Sequence, residues 1–87
     1  MASIKQQFEA ATVDVKKLTS RPSNDEFLQL YAFYKQGSQG DVEGKRPGFT
    51  DMVGRAKYDA WAGVKGLSAD DAMKKYVALV KSLLAGE

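Results

Sequence analysis

The segment from Pro22 to Gln36 reads PSNDEFLQLYAFYKQ, and the rest of the chain is organised around it. Ser23 can accept a hydrogen bond from the backbone of Glu26, and the Glu26 side chain can return one, so the stretch opens with a capping box. Pro22 keeps the helix from extending backwards, because its ring removes a backbone donor. The segment therefore predicts a helix over residues 22–36.

One face of this helix combines apolar and polar side chains, which is unusual for a face that points only at a core. Its members fall within roughly 160° of one another on a helical projection. They are Leu30, Tyr34, Phe27, Tyr31, Lys35 and Leu28. A core favours aliphatic side chains, whereas a binding site has an apolar floor with a few polar groups. The face therefore indicates one wall of a site.

The composition excludes several classes of protein. The 87 residues include no cysteine and no histidine, so disulfides, thiolate or histidine metal sites and histidine-dependent catalysis are excluded. The net charge of +2 is too small to indicate a nucleic-acid-binding protein. No apolar signal segment or membrane-spanning stretch is present. We expect a single domain over residues 1–87, cytoplasmic and without stable membrane insertion.

The segments at the two ends of the chain also predict helices. Ser3 and Gln6 form a second capping box, and apolar residues then recur at helical spacing until the helix ends near Thr19. Lys16 lies in the last turn of that helix, where the dipole favours positive charge. Ser68 is placed to cap the last helix of the chain.

A long irregular segment, from Gly37 to about Val53, precedes the remaining helix. That helix is predicted to begin at Asp51 or Met52 and to continue through Lys65. Gly66 then stands where a glycine commonly stops a helix. Four helices joined by two short links and one long loop predict an all-α bundle.

Basic and aromatic side chains give the strongest indication of a site. The set is Lys16, Lys35, Lys57, Tyr31, Tyr34 and Tyr76. Tyrosine offers a stacking surface and a hydroxyl, and lysine binds phosphate as a point charge. If the helices bring these residues together, they suit a nucleotide with several phosphates. The alternative is that the tyrosines belong to the core and the lysines are solvated.

No side chain indicates catalysis. The serines have no histidine base, and three of them are better explained as helix caps. The carboxylates of Asp25, Glu26, Asp70 and Asp71 lie in first helical turns, where they stabilise the helix dipole. We therefore expect a binding protein that is not an enzyme and uses no metal or cofactor.

At these residues the sequence resembles the acyl-CoA-binding protein family. The matching motifs are residues 22–36 with Gly40-Asp41, Arg46-Pro47-Gly48, Ala56-Lys57-Tyr58-Asp59-Ala60-Trp61, Lys65-Gly66 and Asp71-Ala72-Met73-Lys74-Lys75-Tyr76. They agree in order and spacing, without a gap, from Phe8 to about Leu83. The resemblance implies a four-helix, up-down-down-up bundle that binds medium- to long-chain acyl-CoA with high affinity and serves as an intracellular carrier and buffer.

The resemblance also implies roles for the residues around the head group of the ligand. Carried over by position, Tyr31 stacks on the adenine. Lys35 and Lys57 hold the 3′-phosphate of the ribose, with Tyr34 hydrogen-bonding nearby. Lys16 supplies a further contact to the ligand.

For the remainder of the ligand, the resemblance places Tyr76 near the ribose and pantetheine, and Phe27 and Leu28 along the acyl groove. Phe27 is bulkier than the residue common in the family, so we expect a reshaped groove. Two other positions depart from the family pattern. Gly37 is expected to loosen the end of its helix, and Val53, where many members have lysine, removes one cationic contact.

Two further functions stay open from the sequence. One is a helical protein-interaction module whose aromatic face takes a partner helix. The other is a binder of single-stranded nucleic acid through tyrosine stacking and lysine charge, which the low net charge disfavours. We expect a monomer that binds acyl-CoA and no nucleic acid.

Overall fold

Four α-helices and one short 3₁₀ helix are present in the computed structural model, which describes residues 2–86. They are α1 (Ile4–Asp14), the 3₁₀ turn Val15–Lys17, α2 (Asn24–Gln39), α3 (Met52–Ala62) and α4 (Ala69–Ala85). Within residues 2–86 there is no strand, so the prediction of an all-α fold is confirmed. The predicted domain also includes Met1 and Glu87, which lie outside the described residues.

Serine caps begin three of the helices, as the sequence predicts. Ser3 Oγ accepts from the N–H of Gln6 and Ser23 Oγ from the N–H of Glu26, each at 3.1 Å. The side chains of Gln6 and Glu26 accept from the backbone N–H of the capping serines at 2.9 Å. Ser68 caps α4 through its side chain. Both predicted capping boxes are therefore confirmed.

Helices α2 and α3 pack side by side and run in the same direction. Phe27 near the start of α2 lines a cleft with Met52 at the start of α3. Further along both helices, the Lys35 ammonium lies 5.0 Å from the centroid of the Trp61 ring. The starts of α2 and α3 are therefore adjacent, and so are their later turns, which means that the two helices are parallel.

Helices α1 and α4 both run opposite to α2. Phe8 of α1 packs against Tyr34, late in α2, with ring centroids 5.8 Å apart. A Cβ on Gly37 of α2 would lie 3.1 Å from Cγ of Met73, which is early in α4. With α2 and α3 parallel, the topology is up-down-down-up, as predicted.

The core lies between α1, α2 and α4. Its buried cluster consists of Phe8, Ala11, Leu30, Tyr76, Val77 and Val80. Helix α3 packs on α2 and contributes Trp61 as its buried residue. Helix α3 packs beside this core and contributes no residue to its buried cluster. A cleft remains open between α2 and α3. No helix in residues 2–86 is both long and apolar enough to cross a membrane.

Helix α2 continues to Gln39, beyond the predicted end at Gln36. The expectation that Gly37 loosens this end was wrong, because Gly37 is buried and helical. The absence of a side chain there lets α4 pack close to α2 at Met73. The chain leaves the helix at Gly40, whose φ of 87° is readily adopted only by glycine.

Two other helix ends differ from the prediction. Helix α1 ends at Asp14 and continues as a 3₁₀ turn to Lys17 in place of α-helix to Thr19. Helix α3 starts at Met52 as predicted but ends at Ala62, not at Lys65. Short-range turns follow α3, in which the N–H groups of Val64, Lys65 and Leu67 each donate to the carbonyl three residues back. Gly66, with φ 91°, turns the chain towards α4 and does not stop α3.

Candidate functional site

Two lysine ammonium groups lie close to one tyrosine ring on the open side of α2. Lys35 Nζ is 6.0 Å and Lys57 Nζ is 5.4 Å from the centroid of the Tyr31 ring. They reach it from different helices, because Lys35 lies on α2 and Lys57 on α3. In residues 2–86 neither of these lysines, here called the lysine pair, forms a salt bridge. Their charges therefore remain available to an anionic ligand.

Aromatic side chains beneath the lysine pair hold the two cations in place. Lys35 Nζ lies 5.0 Å from the ring of Trp61, and Lys57 Nζ lies 5.7 Å from the ring of Phe27. Trp61 is fixed in turn, because its Nε1–H donates to the carbonyl of Gly40 at 2.8 Å. Such cation–π contacts contribute about 0.5–1 kcal/mol at exposed sites, enough to favour one side-chain position.

An apolar cleft of about 360 Å³ opens beside the lysine pair, between α2 and α3. Its lining residues are Arg21, Pro22, Asn24, Phe27, Leu28, Met52, Val53, Ala56 and Lys57. Phe27 and Lys57 belong both to this cleft and to the surroundings of Tyr31. Cationic and apolar surfaces are therefore continuous, which is the arrangement that an amphipathic ligand requires.

A second, smaller depression adjoins the first and is lined by aromatic rings. It measures about 210 Å³ and is formed by Val15, Phe27, Leu30, Tyr31, Tyr34 and Tyr76. The ring centroids of Tyr34 and Tyr76 are 6.2 Å apart. Burial, together with the nearby Tyr34, raises the pKa of Tyr76 above its ordinary value of 10.0. Tyr76 therefore presents a neutral hydroxyl and also packs in the core.

The long loop before α3 is held against that helix by side-chain contacts. Arg46 forms a bidentate salt bridge with Asp59, with nitrogen–oxygen distances of 2.8 and 2.7 Å. This hydrogen bonding by Arg46 lowers the pKa of Asp59 below its ordinary value of 3.8. The Tyr58 hydroxyl donates to the carbonyl of Gly44 at 3.1 Å. These contacts hold the loop against α3.

The structure brings together seven of the eight predicted site residues: Phe27, Leu28, Tyr31, Tyr34, Lys35, Lys57 and Tyr76. The eighth, Lys16, lies exposed on the 3₁₀ turn beside Val15. In the part of the chain that the structure describes, Lys16 forms no cation–π contact or salt bridge with the others.

Several lining residues were missed by the sequence analysis. Met52 and Val53 form the α3 side of the cleft, and Arg21 and Pro22 close one end. The two apolar residues could have been found, because they occupy the start of a predicted helix without a core partner. For Arg21 and Pro22, which lie in a connector, the sequence offered no pattern that indicates a binding site. The sequence predicts one cationic contact fewer at Val53, and in the structure Val53 lines the apolar cleft.

The arrangement is suited to binding. It offers a ring for stacking, two unpaired cations for phosphate and an apolar cleft for a hydrocarbon group. Among residues 2–86, no group of three or more potential metal ligands was found.

Known proteins resemble this chain along nearly its whole length. Residues 5–80 match the family model described as "Acyl CoA binding protein". The acyl-CoA-binding protein homolog of Drosophila melanogaster is 49% identical over 82 residues, which cover 94% of this chain and 95% of that protein. The acyl-CoA-binding protein of Saccharomyces cerevisiae is 45% identical over 82 residues, covering 94% of each.

A solved structure extends the similarity to the backbone. The crystal structure of Oryza sativa Acyl-CoA-Binding Protein 2 matches with a TM-score of 0.92 at 38% sequence identity. The match covers 97% of this chain and 93% of that one. The family model, the relatives and the fold agree, and the chain belongs to the acyl-CoA-binding protein family.

Proposed function

We propose that this protein binds medium- to long-chain acyl-CoA esters with high affinity and acts as an intracellular carrier and buffer for them. The observation that carries the proposal is the continuity of the lysine pair with the apolar cleft through Phe27 and Lys57. An acyl-CoA joins a phosphorylated nucleotide to a hydrocarbon tail, so it needs both surfaces side by side. Membership of the family supports the same ligand.

In the proposed complex the head group lies over α2 and α3. Tyr31 stacks on the adenine, and Lys35 and Lys57 neutralise the 3′-phosphate. The convergence of both ammonium groups on the Tyr31 ring supports this assignment. Tyr34 and Lys16 are proposed to add contacts at the edge of the head group. For Lys16 the support is its position beside Val15, which lines the aromatic depression.

The acyl tail is proposed to lie in the apolar cleft along Phe27 and Leu28, with Tyr76 facing the ribose and pantetheine. Phe27 is 47% exposed and can lose that exposed surface to a ligand. Each methylene removed from water contributes about 0.8 kcal/mol. A long tail should therefore supply much of the affinity.

We also propose that the protein is not an enzyme and uses no cofactor. The sequence has no histidine to activate a serine, and the proposed site consists of stacking, cationic and apolar groups. A carrier of this kind holds the thioester without hydrolysing it. A single domain, a monomeric state, a cytoplasmic location and the absence of nucleic-acid binding remain predictions. The interaction-module alternative is not favoured, given the family.

Calorimetric titration with palmitoyl-CoA and with free CoA tests the proposal. We expect one palmitoyl-CoA per monomer and much weaker binding of CoA, because CoA has no tail for the apolar cleft. Equal affinities for the two ligands would show that the cleft does not hold the tail.

A further inference from the structure

A further groove adjoins the apolar cleft and also lies between α2 and α3. It measures about 350 Å³, and we call it the distal groove. Its apolar lining residues are buried or half-buried and are Leu28, Ala32, Phe33, Ala60 and Val64. Its charged and amide side chains are exposed and are Asp25, Gln29 and Asp59. The distal groove therefore has an apolar floor and a polar rim, and its volume is close to that of the cleft.

One side chain lies at the boundary between the cleft and the distal groove. Leu28 of α2 lines both of them. Helix α3 contributes Ala56 to the cleft and Ala60, one turn later, to the distal groove. An alanine side chain extends only one carbon from the backbone. Leu28 therefore supplies most of the side-chain volume that separates the two cavities.

The volume of the cleft limits the length of tail that it can cover. A cleft of about 360 Å³ holds about twelve methylenes, if each occupies roughly the 30 Å³ of a water molecule in the liquid. A myristoyl tail then fills the cleft, and a longer tail exceeds it. Each methylene that is removed from water raises the affinity about fourfold, whereas one that stays in water adds nothing.

We propose that Leu28 is a barrier that sets the longest acyl tail the protein can bury. With a smaller side chain at this position, the cleft and the distal groove become one apolar channel, and the end of a longer tail extends into the distal groove. The inference rests on the proposed function, because the ligand is the same acyl-CoA. It deepens that function by assigning the limit on tail length to one residue.

Competition titration with myristoyl-CoA and arachidoyl-CoA, which differ only in tail length, tests the barrier. We expect the wild type to bind the two ligands with affinities within about twofold, because the extra methylenes find no apolar surface. Leu28→Ala should bind arachidoyl-CoA at least about tenfold more tightly than myristoyl-CoA. Leu28→Phe retains a large side chain at the boundary and should keep the wild-type ratio.

A second substitution tests whether the tail enters the distal groove. Val64→Asp places a carboxylate on the wall of that groove, and covering this charge with hydrocarbon is unfavourable. In the wild-type background Val64→Asp should leave both affinities unchanged, because Leu28 keeps the tail out. Combined with Leu28→Ala, it should remove the preference for arachidoyl-CoA. This pair of results separates entry into the groove from a general loosening of the cleft.

The matched control is a half-buried leucine outside both cavities. Leu79 lies on α4, packs against the core and lines neither the cleft nor the distal groove. Leu79→Ala should keep the wild-type ratio of the two affinities, and thermal melting establishes that each variant is folded. If Leu28→Ala does not fold, the smaller truncation Leu28→Val should still favour arachidoyl-CoA by about threefold.

Two results would overturn the inference and leave the proposed function standing. One is a folded Leu28→Ala that binds both ligands with the wild-type ratio. The other is a preference for arachidoyl-CoA that persists in the double variant, since the tail would then not lie in the distal groove. A wild type that binds neither acyl-CoA would overturn the proposed function, and the inference with it.

Discussion

Gln36 and Asp41 are joined by a hydrogen bond, and each of them also bonds to the turn before α4. Gln36 Nε2 donates to Asp41 Oδ1 and to the carbonyl of Leu67, both at 2.8 Å. The N–H of Gly66 donates to the same oxygen of Asp41 at 2.8 Å. Because Gln36 is only 1% exposed, its amide is shielded from water. Two residues thus connect segments far apart in the sequence.

Stability should depend on the charge of Asp41. Hydrogen bonds from Gly66 and then Gln36 lower the pKa of Asp41 below its ordinary value of 3.8. A lowered folded-state pKa stabilises the fold above the unfolded-state pKa, and the effect is lost as pH falls through the folded-state pKa. We expect Asp41→Asn to be less stable than the wild type at neutral pH, with the difference shrinking below about pH 3.8. Urea unfolding of both proteins, from neutral pH to below this value, measures the difference in their free energies of unfolding. A difference that does not change with pH would show that the charge of Asp41 is not its cause.

The contact between Gly37 and α4 should tolerate little added volume. A Cβ at Gly37 would already lie 3.1 Å from Cγ of Met73 and 3.4 Å from Cζ of Phe8. Gly37→Val should therefore destabilise the fold by about 1–3 kcal/mol through overpacking. Ser38 is exposed on the same helix, so Ser38→Val should change the free energy of unfolding by roughly 0.5 kcal/mol or less. Denaturant unfolding of both variants tests the contact, and equal effects would argue against close packing here.

Phe27 should contribute more to binding of the acyl tail than to binding of the CoA head group. Its ring lines the apolar cleft and is 47% exposed, so its removal should affect folding only slightly. Phe27→Ala should weaken long-chain acyl-CoA about tenfold and change the ranking of chain lengths, with a smaller effect on free CoA. Phe49→Ala removes the same side chain outside the cleft and should leave all these affinities unchanged. Calorimetric titration with a series of acyl-CoAs and with free CoA tests this role. An equal loss of affinity for all of these ligands would refute it.

The sequence predicted best those features that depend on local chemistry. The capping boxes at Ser3 and Ser23 need only residues three apart, and both are present. The helical face from Phe27 to Lys35 follows from the helix period alone. It was therefore possible to predict one wall of the candidate site before any tertiary contact was known.

What the sequence did not predict depends on packing between distant segments. Gly37 is buried in α2 close to Met73, which lies on another helix, and the local sequence does not reveal that proximity. The apolar wall at Met52 and Val53 exists only because α3 runs parallel to α2. For Lys16, the helical pattern gave a position on the chain but could not say whether its side chain reaches the other lysines.

Lys57 is proposed to bind the 3′-phosphate of the ligand. Lys57→Met keeps most of the aliphatic stem, so thermal stability should hardly change. Lys74→Met is the matched control, since Lys74 is exposed and lines neither the cleft nor the aromatic depression.

The direct measurement is calorimetric titration of the wild type and both variants with palmitoyl-CoA and with its 3′-dephospho analogue. A charge-assisted hydrogen bond of about 1.5–3 kcal/mol corresponds to a loss of about tenfold or more. We expect that loss of affinity for Lys57→Met with palmitoyl-CoA, almost none with the analogue, and none for Lys74→Met. Equal losses of Lys57→Met with and without the 3′-phosphate would contradict it.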